Sequence, residues 1–163
     1  MADDNFVARY GGIYEHSPWV AERVQSVLSG ADVAHQRLAE LMADCVDNAS
    51  RETQLELIRA HPDLAGKAEV AGELTADSSE EQSRAGLDRC TPEEFERFQS
   101  LNKAYKEKFG FPFIMAVRES SRQEILDAFA SRIEHDAETE FETALQEIHK
   151  IARLRLAALE ESA

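Results

Sequence analysis

The sequence predicts one domain that is almost entirely α-helical. Along most of its 163 residues, apolar side chains recur every three or four positions, which is the spacing that gathers them on one face of a helix. Ser, Thr or Pro stands where several of these stripes begin, and only 7 Gly and 4 Pro interrupt the chain. Hydrophobic residues make up 43% of the sequence, which is enough to form the core of a single domain over residues 1–163.

Three helices are predicted in the first part of the chain. Each begins at a residue suited to an N-cap, namely Ser17 followed by Pro18, then Asp32, then Ser50. Their apolar stripes are Val20, Val24, Val27 and Leu28 in the first helix, Leu38, Leu41, Met42 and Cys45 in the second, and Leu55 and Ile58 in the third. Because proline disfavours helical geometry in the residue before it, Pro62 predicts that the third helix ends near His61.

Four further helices are predicted in the second part of the chain. The start signals of the first three are Ser78 with Glu81, Thr91 with Pro92 and Glu94, and Ser121 with Glu124. The second of these helices carries the apolar stripe Phe95, Phe98, Leu101, Tyr105 and Phe109. It is expected to stop at Gly110. The last helix is expected to run from about Ala137 to near Leu159.

Residues 111–117 break this helical pattern. They form a short apolar run between two predicted helices. A lone strand would have no partner in a helical protein, and Pro112 argues against a place inside a sheet. We therefore expect an extended, buried segment here. The chain shows no internal repeat and no linker, so we place no domain boundary.

The charge of the chain excludes two classes of partner. It carries 32 acidic against 18 basic residues, for a formal net charge of -14. Nucleic acids and anionic membrane surfaces are bound by basic faces, and no cluster of Lys and Arg could supply one. We therefore expect neither partner. An anionic small molecule still fits, provided that a few cations are placed locally against the overall field.

The cysteines and the N-terminal residues further restrict the kind of protein and its expected compartment. Cys45 and Cys90 show neither a disulfide framework nor the spacing of a zinc site. No signal peptide is recognisable at the first residues, and no apolar run is long enough to span a membrane. The expected compartment is the cytoplasm.

His61 is the first candidate for chemistry. It is predicted at a junction between a helix and a loop, next to Pro62, where a rigid support presents a side chain. A histidine there can act as an acid or a base near neutral pH. On position alone, the alternative of a helix-terminal imidazolium that complements the helix dipole is favoured.

Two further features suggest a polar pocket. Ser78 and Glu81 match a capping box, and a helix N-terminus also presents free N–H groups to polar ligands. In the last helix, Arg155 fills a gap in the apolar series Phe141, Leu145, Ile148, Ala152 and Leu159. Arg155 therefore points toward the core, where it needs a partner. A structural ion pair with an internal Glu or Asp and a polar ligand are equally good interpretations, whereas Arg153 is expected to face solvent.

Other chemistries lack their motifs. His61 and Asp63 are not followed by a second histidine at the spacing of zinc proteases. No nucleophile elbow occurs, neither cysteine has an evident base, and no glycine-rich phosphate loop is present. We expect no metal site.

Five segments, taken in order, resemble the OHCU decarboxylases, which act on 2-oxo-4-hydroxy-4-carboxy-5-ureidoimidazoline (OHCU) in urate breakdown. They are residues 10–23, 61–67, 74–87, 102–114 and 150–156. The second segment, His61-Pro-Asp-Leu-Ala-Gly-Lys67, looks like the catalytic motif of the family. The resemblance covers nearly the whole chain and shows no departure at the key positions.

The resemblance implies an all-helical homodimeric enzyme that needs no cofactor and makes (S)-allantoin. By position, His61 matches the catalytic proton donor of the family, while Glu81 and Arg155 match polar residues that hold the ring and the ureido group. The residues that match substrate-contacting segments are Pro62, Ser78, Ser79, Glu80, Glu81, Gln82, Phe113, Ile114, Met115, Ala116 and Val117.

The chemistry of the implied substrate is consistent with these residue types. Loss of CO₂ leaves an electron pair on carbon, and a neighbouring C=N bond can accept it, so the substrate is its own electron sink. His61 can then transfer the proton. Our hypothesis is that Glu81 pairs with His61 or with the ureido N–H groups, while Arg155 and Gln82 bind carbonyl oxygens.

Two other functions remain open from the sequence. A non-catalytic acidic helical binding module would have Arg155 paired internally, and no pocket would join His61, Glu81 and Arg155. A decarboxylase or lyase of a related ureido-imidazoline would share the same residues, because one hydrogen bond in a pocket can decide between close analogues.

Overall fold

The computed structural model describes residues 4–28, 34–61, 63–64, 76–117 and 120–161. Within these ranges the chain forms eight α-helices, one short 3-10 helix and no strand. The α-helices are α1 (Asp4–Tyr10), α2 (Trp19–Leu28), α3 (His35–Asp47), α4 (Arg51–Arg59), α5 (Ala76–Arg84), α6 (Pro92–Phe109), α7 (Arg122–Arg132) and α8 (Ala137–Glu161). The predicted all-helical fold class is therefore confirmed. None of the helices in this part of the chain has both the length and the apolarity needed to cross a membrane.

The chain divides into two compact units. Unit 1 comprises Met1–Ala60 and Ile148–Ala163, and unit 2 comprises His61–Glu147. Helix α8 contributes to both, because its residues up to Glu147 belong to unit 2 and the remainder to unit 1. The single domain that the sequence suggests stays a prediction.

Unit 1 has a core of aliphatic side chains from four helices. Its fully buried members include Val20, Val24, Leu38, Met42, Val46, Leu57, Ile58, Ile148 and Leu156. The stripe predicted for α2 is right at Val20 and Val24 but wrong at Val27, which is 72% exposed. In the same last turn of α2, Leu28 is half-buried, and it continues the spacing of four from Val20 and Val24, so the covered face of this turn is the side of Leu28.

Local sequence signals set several helix ends as predicted. The Ser50 hydroxyl accepts a hydrogen bond from the Thr53 N–H at 3.1 Å and caps α4. Thr91 and Ser121 begin α6 and α7 with complete capping boxes. Gly110 ends α6 in the left-handed conformation, with φ at 81°, which glycine adopts without the steric cost of a Cβ.

Three predicted starts are wrong. Helix α5 begins at Ala76, so Ser78 lies inside its first turn and is not the N-cap. Helix α2 begins at Trp19, and the Ser17 hydroxyl donates to the Glu15 carbonyl instead of capping the helix. The N-cap of α3 is Ala34, whose side chain makes no cap bond, while Asp32 lies outside the described residues. In each case the local pattern permits several starts, and the wider structure selects among them.

Unit 2 is organised around aromatic side chains. Phe98 and Tyr105 of α6 are fully buried, as are Phe113 and Phe129. The rings of Phe113 and Phe129 stack with their centroids 3.9 Å apart, and the Tyr105 ring meets Phe113 edge-on at 5.4 Å. Residues 112–117 have no regular secondary structure and are mostly buried, which confirms the expected buried segment outside the helices.

The sequence predictions omitted two short elements. Helix α1 has only seven residues, and the 3-10 helix Leu87–Arg89 has three. Neither is long enough to show the repeated apolar spacing on which a helix prediction rests.

Candidate active site

His61 is the first residue after the C-cap of helix α4. Ala60 is the C-cap of that helix, so the imidazole stands at the junction that the sequence predicts. Its side chain is buried, with 8% exposed. A shielded histidine on a rigid support is suited to passing a proton to a bound molecule. Its neighbour Pro62 lies outside the described residues.

Side chains of α5 and α6 hold the backbone just beyond His61. Gln82 donates from Nε2 to the Asp63 carbonyl at 3.2 Å, and Asn102 donates from Nδ2 to the Leu64 carbonyl at 3.0 Å. The Lys106 ammonium pairs with the Asp63 carboxylate at 2.7 Å. The structure thus brings Gln82 to the loop that carries the candidate catalytic residue.

Gln82 and Asn102 are both buried, but the sequence analysis singles out only one of them. Gln82 was already a candidate, whereas Asn102 was not. Asn102 is only 3% exposed and lies between Phe98 and Tyr105 at helical spacing. A polar residue within an apolar stripe is the same signal that singles out Arg155, so sequence reasoning had the means to find Asn102.

Helix α5 carries most of the remaining candidates. Gln82 is 2% exposed, and Glu81 beside it is half-buried. Glu80 is exposed and pairs with Arg84 one turn later, with 3.0 Å between its carboxylate and the guanidinium. Ser78 and Ser79 belong to the helix, but their side chains are outside the described part. Substrate contacts by these residues stay predictions.

The candidates in residues 113–117 follow α6. Phe113, Ile114 and Val117 are buried, whereas Met115 and Ala116 are half-buried. Because these residues form neither a helix nor a sheet, their backbone N–H and C=O groups are not committed to a regular ladder. Such a segment can offer backbone donors and acceptors to a small polar molecule.

A buried charged cluster in unit 2 was absent from the sequence predictions. Glu140 is completely buried, and its carboxylate accepts hydrogen bonds from the Tyr105 hydroxyl at 2.5 Å and from Nε of Arg132 at 2.9 Å. Nδ1 of His135 lies 2.9 Å from its second oxygen. Burial, followed by the hydrogen bond to Glu140, raises the pKa of Tyr105. The phenol therefore stays protonated and remains a donor.

Arg155 lies in unit 1 and has protein partners there. It is 5% exposed, as its place in the apolar stripe predicts. Its guanidinium pairs with the buried Glu15 carboxylate at 3.1 Å and donates to the carbonyls of Gly12 and Ile13 at 3.2 and 3.4 Å. These contacts correspond to the structural interpretation of this residue, and a contact with substrate stays a prediction. Arg153 is exposed, as expected.

A second polar chain in unit 1 was also missed. The Tyr14 hydroxyl lies 2.7 Å from Nδ1 of His149, and Nε2 of the same ring lies 3.0 Å from the Asp47 carboxylate. Tyr14 is 2% exposed, and burial raises its pKa. The three residues are far apart in sequence, so local pattern reading offers no signal for them.

The described residues contain no group of three or more His, Cys, Asp and Glu side chains arranged to hold a metal ion. The polar groups that hold the His61 loop include the side-chain amides of Gln82 and Asn102 and the ion pair between Lys106 and Asp63.

Comparison with known proteins decides the family. The family model described as OHCU decarboxylase matches residues 1–157. The chain belongs to the OHCU decarboxylase family. A curated relative from Haloferax volcanii, named 2-oxo-4-hydroxy-4-carboxy-5-ureidoimidazoline decarboxylase, is 49% identical over 157 residues, which cover 96% of this chain and 90% of that protein.

Solved structures of related proteins share the fold. A crystal structure of (S)-allantoin synthase superimposes with a TM-score of 0.74 at 37% identity, covering 94% of this chain and 49% of that one. A crystal structure of OHCU decarboxylase in the presence of (S)-allantoin gives a TM-score of 0.69 at 25% identity, covering 96% of this chain and 97% of the other. Family membership thus extends over nearly the full length of this chain.

Proposed function

We propose that this protein is a carboxy-lyase that decarboxylates OHCU to (S)-allantoin in urate degradation. The observation that carries the proposal is the match of the family model to residues 1–157. The named relative at 49% identity and the buried His61 at its predicted junction support it. We also propose a homodimer on the strength of the family resemblance, and light scattering coupled to gel filtration would measure its mass.

In the proposed reaction, the bond between the ring carbon and the carboxylate breaks and CO₂ leaves. The electron pair stays with the substrate and is taken up by the neighbouring C=N bond. The carbon that lost CO₂ then becomes the ring carbonyl, as its hydroxyl proton passes to the ring nitrogen that took up the electron pair. A proton adds to the neighbouring ring carbon, which carries the ureido group, and this step sets the configuration of the product. His61 donates this proton and regains one from water, so atoms and charge balance.

The other assigned residues bind and orient the substrate. Glu81 pairs with His61 or with the ureido N–H groups, and Gln82 orients a carbonyl oxygen or the loop that carries His61. Backbone groups of residues 113–117 line the ring. The hydrogen bond from Gln82 to Asp63 and the irregular backbone of residues 113–117 support these assignments.

Replacing His61 tests the proposal directly. Freshly generated OHCU is mixed with the protein, and the circular dichroism of the allantoin formed is followed against the spontaneous reaction. Wild type should give the S enantiomer rapidly, whereas His61→Ala should lose at least about 100-fold of the catalysed rate, since proton transfer by a positioned side chain contributes that much.

His16→Asn is the matched control for this experiment. His16 is exposed and has a φ of 50°, a conformation that asparagine tolerates. The control should keep the wild-type rate. A His61→Ala variant as fast as wild type would refute the role of His61, and a wild type no faster than the spontaneous reaction would favour the non-catalytic binding module.

A further inference from the structure

Residues 113–117 have no helix or sheet partner, yet most of their side chains are buried. Two side chains from elsewhere in unit 2 form hydrogen bonds with the backbone of this segment. Arg132 donates from Nη1 to the Ile114 carbonyl at 2.6 Å, and the Glu147 carboxylate accepts from the Ala116 N–H at 3.1 Å. Arg132 thus supplies a donor and Glu147 an acceptor. These are the two kinds of group that a neighbouring strand would offer.

Arg132 is itself held in a single orientation. Its side chain is 11% exposed, its Nε is bound by Glu140 at 2.9 Å, and its guanidinium carbon lies 4.4 Å from the centre of the Phe113 ring. The planar guanidinium bonds a carboxylate and a carbonyl at the same time, which the single ammonium of lysine does not reproduce. Arg132 therefore contacts both the backbone and a side chain of residues 113–117.

Glu140 anchors this arrangement from the other side. It is completely buried and accepts from Tyr105 at 2.5 Å as well as from Arg132. A buried carboxylate with several donors is fixed in place, because the loss of any one bond exposes charge to an apolar surrounding. The position of the Ile114 carbonyl is thus tied to α6, α7 and α8 through one cluster.

We propose that Arg132 and Glu147 are positioning residues that set the backbone of residues 113–117 for substrate binding. This inference rests on the proposed function, which assigns those residues to the substrate. Neither side chain needs to touch the substrate. Each acts by holding one backbone group, so that the remaining groups of the segment meet the ring in a fixed geometry.

Glu147 offers the cleaner test, because it is half-buried and lies outside the Glu140 cluster. Glu147→Ala removes the acceptor, Glu147→Gln keeps an oxygen that can accept the Ala116 N–H, and Glu142→Ala removes an exposed carboxylate from the same helix. The measurements are KM and kcat with OHCU, calorimetric affinity for (S)-allantoin, and hydrogen exchange of residues 112–117.

Glu147→Ala should raise KM and weaken (S)-allantoin binding together by about tenfold, the effect of one lost hydrogen bond to a charged group. Its kcat should change by less than about twofold, as expected when binding common to the ground and transition states is lost. Exchange of residues 112–117 should speed up. Glu147→Gln should recover most of the loss, and Glu142→Ala should match wild type in every measurement.

Arg132→Lys provides the second variant. It keeps the charge beside Glu140 but lacks the fork that also bonds the Ile114 carbonyl, so it should shift KM, allantoin affinity and exchange in the same direction as Glu147→Ala. If Arg132→Lys fails to fold, the Glu147 variants test the positioning role by themselves.

The two proposals fail in different ways. If wild type is active but Glu147→Ala leaves KM, allantoin affinity and exchange unchanged, the positioning role is overturned and the function stands. If wild type neither accelerates the reaction nor binds (S)-allantoin, the proposed function is refuted and the positioning role falls with it.

Discussion

At the scale of single residues, buried charged side chains constrain the interior, because each of them needs a partner. Arg155 and Glu15 are 5% and 2% exposed, and their charged groups meet at 3.1 Å. Taking both ions out of water is costly, and their attraction offsets this cost only while both are present. The pair is therefore a poor source of net stability but a strict requirement once one partner is in place.

Removing one partner of this pair should be severe. Glu15→Ala leaves a buried guanidinium without its carboxylate, so we expect a loss of about 3 kcal/mol in the free energy of unfolding. Glu15→Leu combined with Arg155→Met should recover most of that loss, because apolar side chains of similar volume need no partner. Urea denaturation followed by circular dichroism measures both variants.

The double variant also tests the predicted ligand role of Arg155. If it is stable yet fails to bind (S)-allantoin, Arg155 has a role beyond the pair. If it binds as wild type does, the role of Arg155 is structural. A single Glu15→Ala variant as stable as wild type would contradict the account of the pair.

At the scale of helices, the ends are set by short polar contacts. Ser50, Thr91 and Ser121 each accept a backbone N–H at the start of a helix. Asp136 does the same for α8, where its carboxylate accepts from the Thr139 N–H at 2.7 Å. Each cap satisfies a donor that the helix itself leaves without a partner.

The cap of α8 should make stability depend on pH. The backbone hydrogen bond from Thr139 lowers the pKa of Asp136 below its ordinary value of 3.8. A lowered carboxyl pKa in the folded state means that the stabilisation is present above about pH 4 and is lost as the pH falls through the folded-state pKa. The Tm advantage of wild type over Asp136→Ala should therefore narrow between neutral pH and about pH 3.

Asp136→Asn is the control for this effect. Its amide oxygen caps the helix without titrating, so its Tm advantage over Asp136→Ala should stay constant over the same pH range. A wild-type advantage that is independent of pH would show that the charge of Asp136 contributes nothing to the cap.

At the scale of the whole molecule, charge is the dominant feature. The formal net charge of -14 makes the folded chain repel itself. Mobile ions screen this repulsion over about 10 Å at about 0.1 M salt and over about 3 Å at about 1 M. The same field disfavours an anionic substrate, so local cations matter more here than in a neutral protein.

Added salt should accordingly stabilise the protein. We expect the Tm to rise by roughly 5 °C between about 0.05 M and about 1 M NaCl, which corresponds to about 2 kcal/mol for a chain of this size. Glutamine at the exposed positions Glu22, Glu96, Glu107 and Glu142 lowers the charge and should reduce the rise. Equal salt effects on the two proteins, in scanning calorimetry, would contradict an electrostatic origin.

Much of the candidate site was predictable because it is local in sequence. The junction at His61 follows from Pro62, and the inward position of Arg155 follows from the spacing of its helix. Asn102 interrupts an apolar stripe in the same way as Arg155, whereas Glu140 comes just before Phe141, the first residue of the apolar series of its helix, and gives no such signal. The anchors of the His61 loop and the hold on the Ile114 carbonyl join residues that are distant in the chain, so no local pattern predicts them.

The sequence by itself determined the helical class, the caps at Ser50, Thr91 and Ser121, the stop at Gly110 and the family, because each depends on neighbouring residues or on motifs in order. Only the tertiary structure decided where α5 begins, which carboxylate meets Arg155, and how residues 113–117 are held. Those outcomes depend on which distant groups reach one another once the chain is packed, and the burial of polar groups then requires that each find a partner.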